Sequence, residues 1–166
     1  FAAVTLRLQH KRRRRVADST FLFWRTAMAA LAAAALVGVS RLLVEPGEWA
    51  MRLEFELGML AIVGVFAAVI NGMMYKIMPF ISWLHLQRVL ATPPNMHQMI
   101  AEKRMRGQFR LFLAALALLL ACPFVPQLAL PAGLAFAASC LWLELNLAHA
   151  VRLYARLKSG AVTPLQ

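Results

Sequence analysis

Apolar residues fill most of the chain between residues 21 and 150, in four long stretches separated by short segments rich in Lys and Arg. The stretches cover approximately residues 21–44, 57–76, 109–125 and 128–150. A run of about 20 apolar residues crosses the ~30 Å hydrocarbon layer as one helix. The pattern therefore predicts an all-α integral membrane protein, a bundle of four transmembrane helices over residues 20–158. A basic segment (1–19) precedes this domain and a short tail (159–166) follows it.

Lys and Arg are distributed unevenly between the two sides of this predicted bundle. All of them except Arg41 and Arg52 precede or open the first stretch, lie between the second and third, or follow the fourth. Flanking Lys and Arg are retained on the cytoplasmic side of a membrane. The distribution therefore predicts that both termini, and the loop around residues 92–105, are cytoplasmic.

Composition agrees with this class of protein. Hydrophobic residues make up 61% of the chain and charged residues 15%, against about 45–50% and about 25% in ordinary soluble domains. A net charge of +11 is also typical of nucleic-acid-binding proteins, but here the cations lie outside the apolar stretches. We therefore expect anionic lipid headgroups at the basic segments and other transmembrane helices or subunits as partners, and no nucleic acid.

The basic run Lys11–Arg15 before the first stretch allows a second interpretation, a secretory signal peptide. The apolar stretch is longer than a signal h-region of about 7–15 residues, and no clear small-residue cleavage site follows it. We therefore expect the first stretch to remain as a spanning helix. Because the chain begins at Phe1 instead of Met, we also expect it to be a processed or truncated product.

Glu144 is the acidic residue that the pattern places farthest inside a span. Small residues share its helix face: Gly133, Ala137, Cys140 and Ala148. Such a face permits close contact between transmembrane helices, so Gly133 and Ala137 are predicted packing positions. An acid in hydrocarbon is costly and faces protein or water. Glu144 is either a proton-accepting or cation-pairing group, or a protonated or hydrogen-bonded packing residue.

A second stripe on the fourth stretch contains polar and aromatic side chains: Ser139, Trp142, Asn146 and His149. Asn146 is a further candidate for an intramembrane polar role. His149 lies shortly before Arg152, so we expect it near the cytoplasmic interface. It is either a haem or metal ligand, or an interfacial histidine hydrogen-bonded to headgroups or loops.

The second stretch contains a row of small residues: Gly64, Ala68 and Gly72. Their four-residue spacing permits close approach of another helix. Asn71 and Tyr75 continue along nearly the same line, so this face is either a tight contact sealed by interhelical hydrogen bonds or a polar path that lines a ligand. Pro79 predicts that the helix bends or ends nearby, because proline lacks an N–H.

Motifs that specify catalysis are absent from the sequence, including CxxC, CxxCH, HExxH, the P-loop and GxGxxG. The four histidines show no spacing typical of metal ligands. We therefore predict no catalytic or metal site, and the sequence requires no cofactor. If haem or quinone binds, the side chains to test are His149, His85 and Tyr75.

One string of residues points to a known group of proteins. The string Gly72-Met-Met-Tyr-Lys-Ile-Met-Pro-Phe-Ile-Ser-Trp-Leu-His85, with Pro94-Asn-Met and Arg106-Gly-Gln-Phe-Arg-Leu after it, resembles the C-terminal region of large bacterial polytopic membrane proteins. Those proteins are distantly similar to haem-copper oxidase subunit I. The resemblance covers approximately residues 50–155 and implies a respiration-associated setting in the bacterial cytoplasmic (inner) membrane. It carries over no haem or copper ligand, because the oxidase histidine patterns are missing here.

These features together predict a non-catalytic subunit or domain that packs against partner helices and lipid. The expected setting is a respiratory or other energy-converting membrane complex. Two alternatives remain open: part of a haem- or quinone-handling membrane redox protein, and a small proton-coupled transporter in which Glu144 couples the proton.

Overall fold

Four long helices contain most of the residues that the computed structural model describes, which are 19–90 and 99–162. Helix α1 is Ser19–Leu42. Helix α2 is continuous over Glu48–Leu86, with a π-helical segment, Leu60–Ala67, between two α-helical ones, Glu48–Met59 and Ala68–Leu86. Helix α3 is Glu102–Ala121, and a 3-10 turn, Pro126–Leu128, leads into α4, Ala129–Val162. No strand occurs in these residues, so the predicted all-α class is confirmed.

Three of these helices are long and apolar enough to cross a membrane: α1, α2 and the segment Pro126–Ser159 that contains most of α4. Helix α3 is not among them, because its first turns contain Lys103, Arg104, Arg106 and Arg110. The apolar part of α3, from Leu111 to Ala121, is only roughly 16 Å long at ~1.5 Å per residue. The three helices are compatible with a membrane protein, and the four-span topology stays a prediction.

The helices extend beyond the apolar stretches that predict them. Helix α2 begins at Glu48 rather than near residue 57, and a first-turn ion pair between Glu48 and Arg52 supports this extension. It also continues past Pro79 to Leu86 instead of ending there. Helix α4 continues beyond residue 150 to Val162. Residues 1–18 of the predicted basic segment, residues 92–98 of the predicted loop and the last four residues lie outside the described residues. The end of the predicted loop, residues 102–105, is instead the first turn of α3.

Direct contacts bring the Lys- and Arg-rich ends of the helices together. Ser19 at the start of α1 donates a hydrogen bond to Glu102 Oε1 at the start of α3, at 2.7 Å. The rings of His85, near the end of α2, and Tyr154, in the last part of α4, have centroids 6.3 Å apart. We call this the cation-rich end of the bundle. The opposite end contains an ion pair between Arg41 of α1 and Glu54 of α2, at 2.8 Å.

The centre of the core is the side chain of Phe23, which is fully buried. Its ring centroid lies 4.9 Å from that of Phe109 and 5.5 Å from that of Phe112, both in edge-to-face arrangements. The Tyr75 ring lies 6.1 Å away. One aromatic side chain of α1 thereby contacts both α2 and α3, in geometries that aromatic pairs prefer.

Candidate functional site

Buried polar side chains from three helices meet beside this aromatic core. They are Asn71 and Tyr75 of α2, Gln108 of α3, and Ser139 and Asn146 of α4, which we call the polar cluster. All five are buried, and Gln108 is fully excluded from solvent. A buried amide or hydroxyl costs free energy unless it has a hydrogen-bond partner, so the contacts of these groups decide whether the cluster is stable.

Gln108 is the centre of the hydrogen-bond network. Its side-chain nitrogen donates to Asn71 Oδ1 at 2.9 Å and to Ser139, whose hydroxyl and carbonyl oxygens lie at 3.1 and 3.2 Å. Its oxygen faces the Tyr75 hydroxyl at 3.5 Å. Asn146 Nδ2 in turn donates to the Tyr75 hydroxyl oxygen at 2.8 Å. One glutamine of α3 therefore connects α2 to α4.

Helical spacing places each of these groups. Asn71 and Tyr75 are one turn apart on α2, and Ser139 and Asn146 are two turns apart on α4, so each pair lies on one face. Asn71 also donates to the carbonyl of Ala67, the last residue of the π-helical segment, at 2.6 Å. The π turn thus ends where the cluster begins, and π-helical turns are frequent at functional sites.

The chemistry of the polar cluster is that of neutral hydrogen bonding. Its groups are amides and hydroxyls, and each makes a hydrogen bond within the bundle. In the described part of the chain, the one buried side-chain oxygen without a partner is Glu56 Oε1, which belongs to the other half of α2. Satisfied buried networks of this kind specify a unique packing. The cluster is therefore suited to fixing the register of the three helices.

The predicted packing stripe of α4 lies on the opposite side of that helix. Gly133, Ala137, Cys140 and Glu144 are all exposed, and we call them the α4 outer face. A Cβ added to Gly133 would meet nothing within 4 Å. Both predicted packing positions, Gly133 and Ala137, thus lie on the exposed side of α4, because the buried Ser139 and Asn146 take the inward side. Their packing against another helix stays a prediction.

The contacts between α3 and α4 give the level of Glu144 in the bundle. Ser139 is level with Gln108, and Gly107 faces the Trp142 indole, where a Cβ would come within 3.0 Å of a ring carbon. These two contacts fix the antiparallel register of α3 and α4. Glu144 is about 7.5 Å beyond Ser139, level with the first turn of α3. The acid is therefore exposed at the level of the first turn of α3, with the exposed side chains of Leu141 and Leu145 on either side of it. Its place inside a membrane span stays a prediction.

The two histidines proposed as cofactor ligands are both exposed and neither belongs to the polar cluster. His85 contacts the Tyr154 ring, and His149 lies on α4 beyond Asn146. Of the candidate cofactor-binding side chains, the structure brings only Tyr75 into the polar cluster, where it contacts the candidate Asn146 and also Gln108. No group of three His, Cys, Asp or Glu side chains that could hold a metal occurs in residues 19–90 and 99–162.

The small-residue row of α2 lies against α1. A Cβ on Gly64 would be 2.7 Å from the Cβ of Ala30, and a Cβ on Gly72 would be 3.1 Å from the Cβ of Phe23. Ala68, between them, is fully buried. Close approach without side-chain interference is the reason that transmembrane helix contacts favour small residues.

Two members of the polar cluster are not predicted from the sequence: Gln108 is not among the candidates, and Ser139 is named without a contact. Gln108 lies between Arg106 and Arg110 of α3, and a polar residue in a charged segment gives no sign that it is buried. The available signal was its spacing from Met105 and Phe112, which places it on the one apolar face of that segment.

Comparison with known proteins gives no relatives: no family model, no curated protein and no solved structure matches this chain.

Proposed function

We propose that this chain is a non-catalytic, polytopic subunit or domain of a membrane complex, which binds a partner transmembrane helix along the α4 outer face. In this proposal the cation-rich end, with both termini, is cytoplasmic. The respiratory setting rests on the resemblance of the Gly72–His85 string alone.

Exposed apolar side chains support the membrane setting. Large hydrophobic residues are exposed along the helix surfaces, among them Leu36 of α1, Ile62 and Phe66 of α2, and Leu134 and Leu141 of α4. Soluble monomers rarely expose contiguous apolar surface beyond a few hundred Å². A lipid environment or partner helices would cover these side chains.

The observation that carries the proposal of a partner is the exposure of α4. In the most apolar 18-residue segment of the helix that contains α4, only 11% is buried inside the protein, against 28% in the corresponding segment of α1 and 33% in that of α2. The exposed side includes Gly133, Ala137 and Cys140, and large aliphatic residues such as Leu141 lie beside them. In membranes, small residues favour helix–helix contact because they let backbones approach closely. The α4 outer face therefore has the form of an interface.

The two alternative functions have weaker support. A haem- or quinone-handling role has no contact in its favour, since His85 and His149 are exposed and separate from the polar cluster. A proton-coupled transporter would use Glu144, which is exposed and separate from the polar cluster. A visible spectrum of the purified chain tests the first alternative, because bound haem gives a Soret band.

Photo-cross-linking from the α4 outer face tests the proposed function. A photoreactive residue replaces Ala137 or, as the matched control, Ala138, which is also exposed but turned about 100° away. We expect protein adducts from position 137 in native membranes. Ala137→Leu should reduce the recovery of the same proteins in mild detergent, whereas Ala138→Leu should not. Adducts to lipid alone from position 137, with unchanged recovery in both variants, would refute the proposal.

A further inference from the structure

A groove of about 490 Å³ opens between α1 and α3, and its lining residues are Leu22, Arg25, Thr26, Ala29 and Phe109. This volume falls within the range of about 300–1,000 Å³ of small-molecule sites. The Thr26 hydroxyl already donates to the carbonyl of Leu22, at 3.1 Å. The walls are therefore mainly apolar, and the charge of the groove is that of Arg25.

Helical spacing explains the shape of the groove. Phe23, Ala27 and Ala30 are buried on the inward side of α1. Leu22, Arg25 and Ala29 follow each other at three- and four-residue intervals along the side that faces α3. Ala29 is too small to fill the space beside Phe109, so the two helices leave a groove that is open to the surroundings.

Arg25 lies among apolar side chains of the groove, where an anionic partner would stabilise its charge. It is the one charged residue of α1 before Arg41, roughly 24 Å further along the helix. In the described residues the acidic side chains of the three ion pairs are bound to Arg41, Arg52 and Arg106, and not to Arg25. The Arg25 guanidinium is exposed and lies 5.9 Å from the Phe21 ring centroid. A cation at the border of an apolar helix is costly without an anionic partner.

Other cations lie near the same end of the groove. Glu102 accepts hydrogen bonds from Ser19 and from Arg106, at 2.7 and 3.0 Å, so it joins the first turns of α1 and α3. Arg106 and Phe109 are three residues apart and therefore lie on neighbouring parts of one face of α3. Leu22 lies one turn nearer this end than Arg25, and Ala29 lies one turn further from it, so the charge of the groove has apolar side chains on both sides.

We propose that this groove binds one anionic phospholipid. The headgroup phosphate pairs with Arg25, since a guanidinium binds phosphate through charge-assisted hydrogen bonds. The upper part of an acyl chain lies along Ala29 and Phe109, and Leu22, one turn nearer the cation-rich end, lies beside the headgroup. The apolar walls favour a lipid over free phosphate, which would leave them in contact with water. This inference rests on the proposed membrane function.

The test is native mass spectrometry of the full chain, released from phosphatidylcholine nanodiscs and titrated with phosphatidylglycerol. We expect the wild-type chain to retain phosphatidylglycerol about tenfold more tightly than phosphatidylcholine, the order of one charge-assisted contact. Arg25→Gln should abolish this preference and Arg25→Lys should keep part of it. Arg110→Gln is the matched control, because Arg110 is an exposed cation of α3 that does not line the groove.

Further arms separate the possible outcomes. Ala29→Phe keeps Arg25 but fills the groove, and it should reduce the retention of both lipids. Inorganic phosphate should compete poorly; if it displaces phosphatidylglycerol, or if Arg25→Gln keeps the lipid preference, the proposal is wrong. Carbonate extraction of membranes tests the proposed function separately. A chain that is extracted refutes the membrane setting, whereas an inserted chain without lipid preference refutes only this site.

Discussion

The contact between Gly64 and Ala30 gives the sharpest test of how α1 and α2 pack. A Cβ placed on Gly64 would lie 2.7 Å from the Cβ of Ala30 and 3.9 Å from the nearest atoms of Leu116 and Leu60. Non-bonded carbons are most stable at about 3.5–4.0 Å. The substitution Gly64→Ala therefore requires α1 and α2 to separate by about 1 Å at this point.

The expected cost follows from two opposing effects. Forcing an extra carbon into a close-packed contact destabilises by about 1–3 kcal/mol. Replacing glycine by alanine inside a helix stabilises by about 0.5–1 kcal/mol. Gly58, in the same helix, has nothing within 4 Å of its added Cβ, so Gly58→Ala shows the second effect alone. Gly64→Ala should thus be less stable than Gly58→Ala by about 1–3 kcal/mol.

Reversible unfolding in mixed detergent micelles, followed by the loss of helical signal, measures both free energies. A rescue variant strengthens the test: Ala30→Gly removes the opposing Cβ but itself costs about 0.5–1 kcal/mol inside a helix. The double variant should therefore be more stable than the sum of the two single changes predicts. Free energies of unfolding for Gly64→Ala and Gly58→Ala that agree within about 0.5 kcal/mol would refute the reasoning. Failure of Ala30→Gly to rescue would show that the contact is not the cause.

Two further predictions concern polar contacts. Gln108→Leu leaves Asn71 Oδ1 without its donor and removes the acceptor of Tyr75, so the same unfolding assay should show a loss of about 2–3 kcal/mol; a loss below about 0.5 kcal/mol would mean that water or rotation satisfies these groups. Arg41→Gln breaks an exposed ion pair with Glu54, so it should cost less than about 1 kcal/mol. A larger loss, insensitive to salt, would contradict that estimate.

The sequence predicts the helices better than their limits. The apolar stretch 21–44 agrees closely with α1, Ser19–Leu42, because apolar length alone determines that helix. Helix α2 begins well before its apolar stretch, since ion pairs and helix propensity extend it through Arg52 and Glu54. The same holds for α3, whose charged first turns are helical although they cannot lie in hydrocarbon. Hydropathy therefore identifies the apolar part of each helix and not the residues at which the helix begins and ends.

The candidate site was predictable only in part, because one helix has two plausible inward faces. On α4 the small-residue stripe and the Ser139–Asn146 stripe compete for the inside. The sequence predicts helix packing for Gly133 and Ala137, and the structure buries Ser139 and Asn146 on the inward side. The packing of Gly133 and Ala137 against a partner helix stays a prediction. The polar groups of Ser139 and Asn146 need protein partners, which Gln108 and Tyr75 supply. Only knowledge of these partners on other helices could have decided between the faces.

The two faces of α4 have different expected roles: the inward face stabilises the fold of the chain, and the outer face binds the proposed partner. Its inward face bonds to Gln108 and Tyr75, so changes there should alter unfolding. The α4 outer face shares no residue with those contacts, and Gly133 has open space around it. A substitution such as Ala137→Leu should therefore weaken partner binding while the free energy of unfolding stays constant. If it instead lowered stability as much as Gln108→Leu, the outer face would belong to the internal packing of the bundle and could not be a free interface.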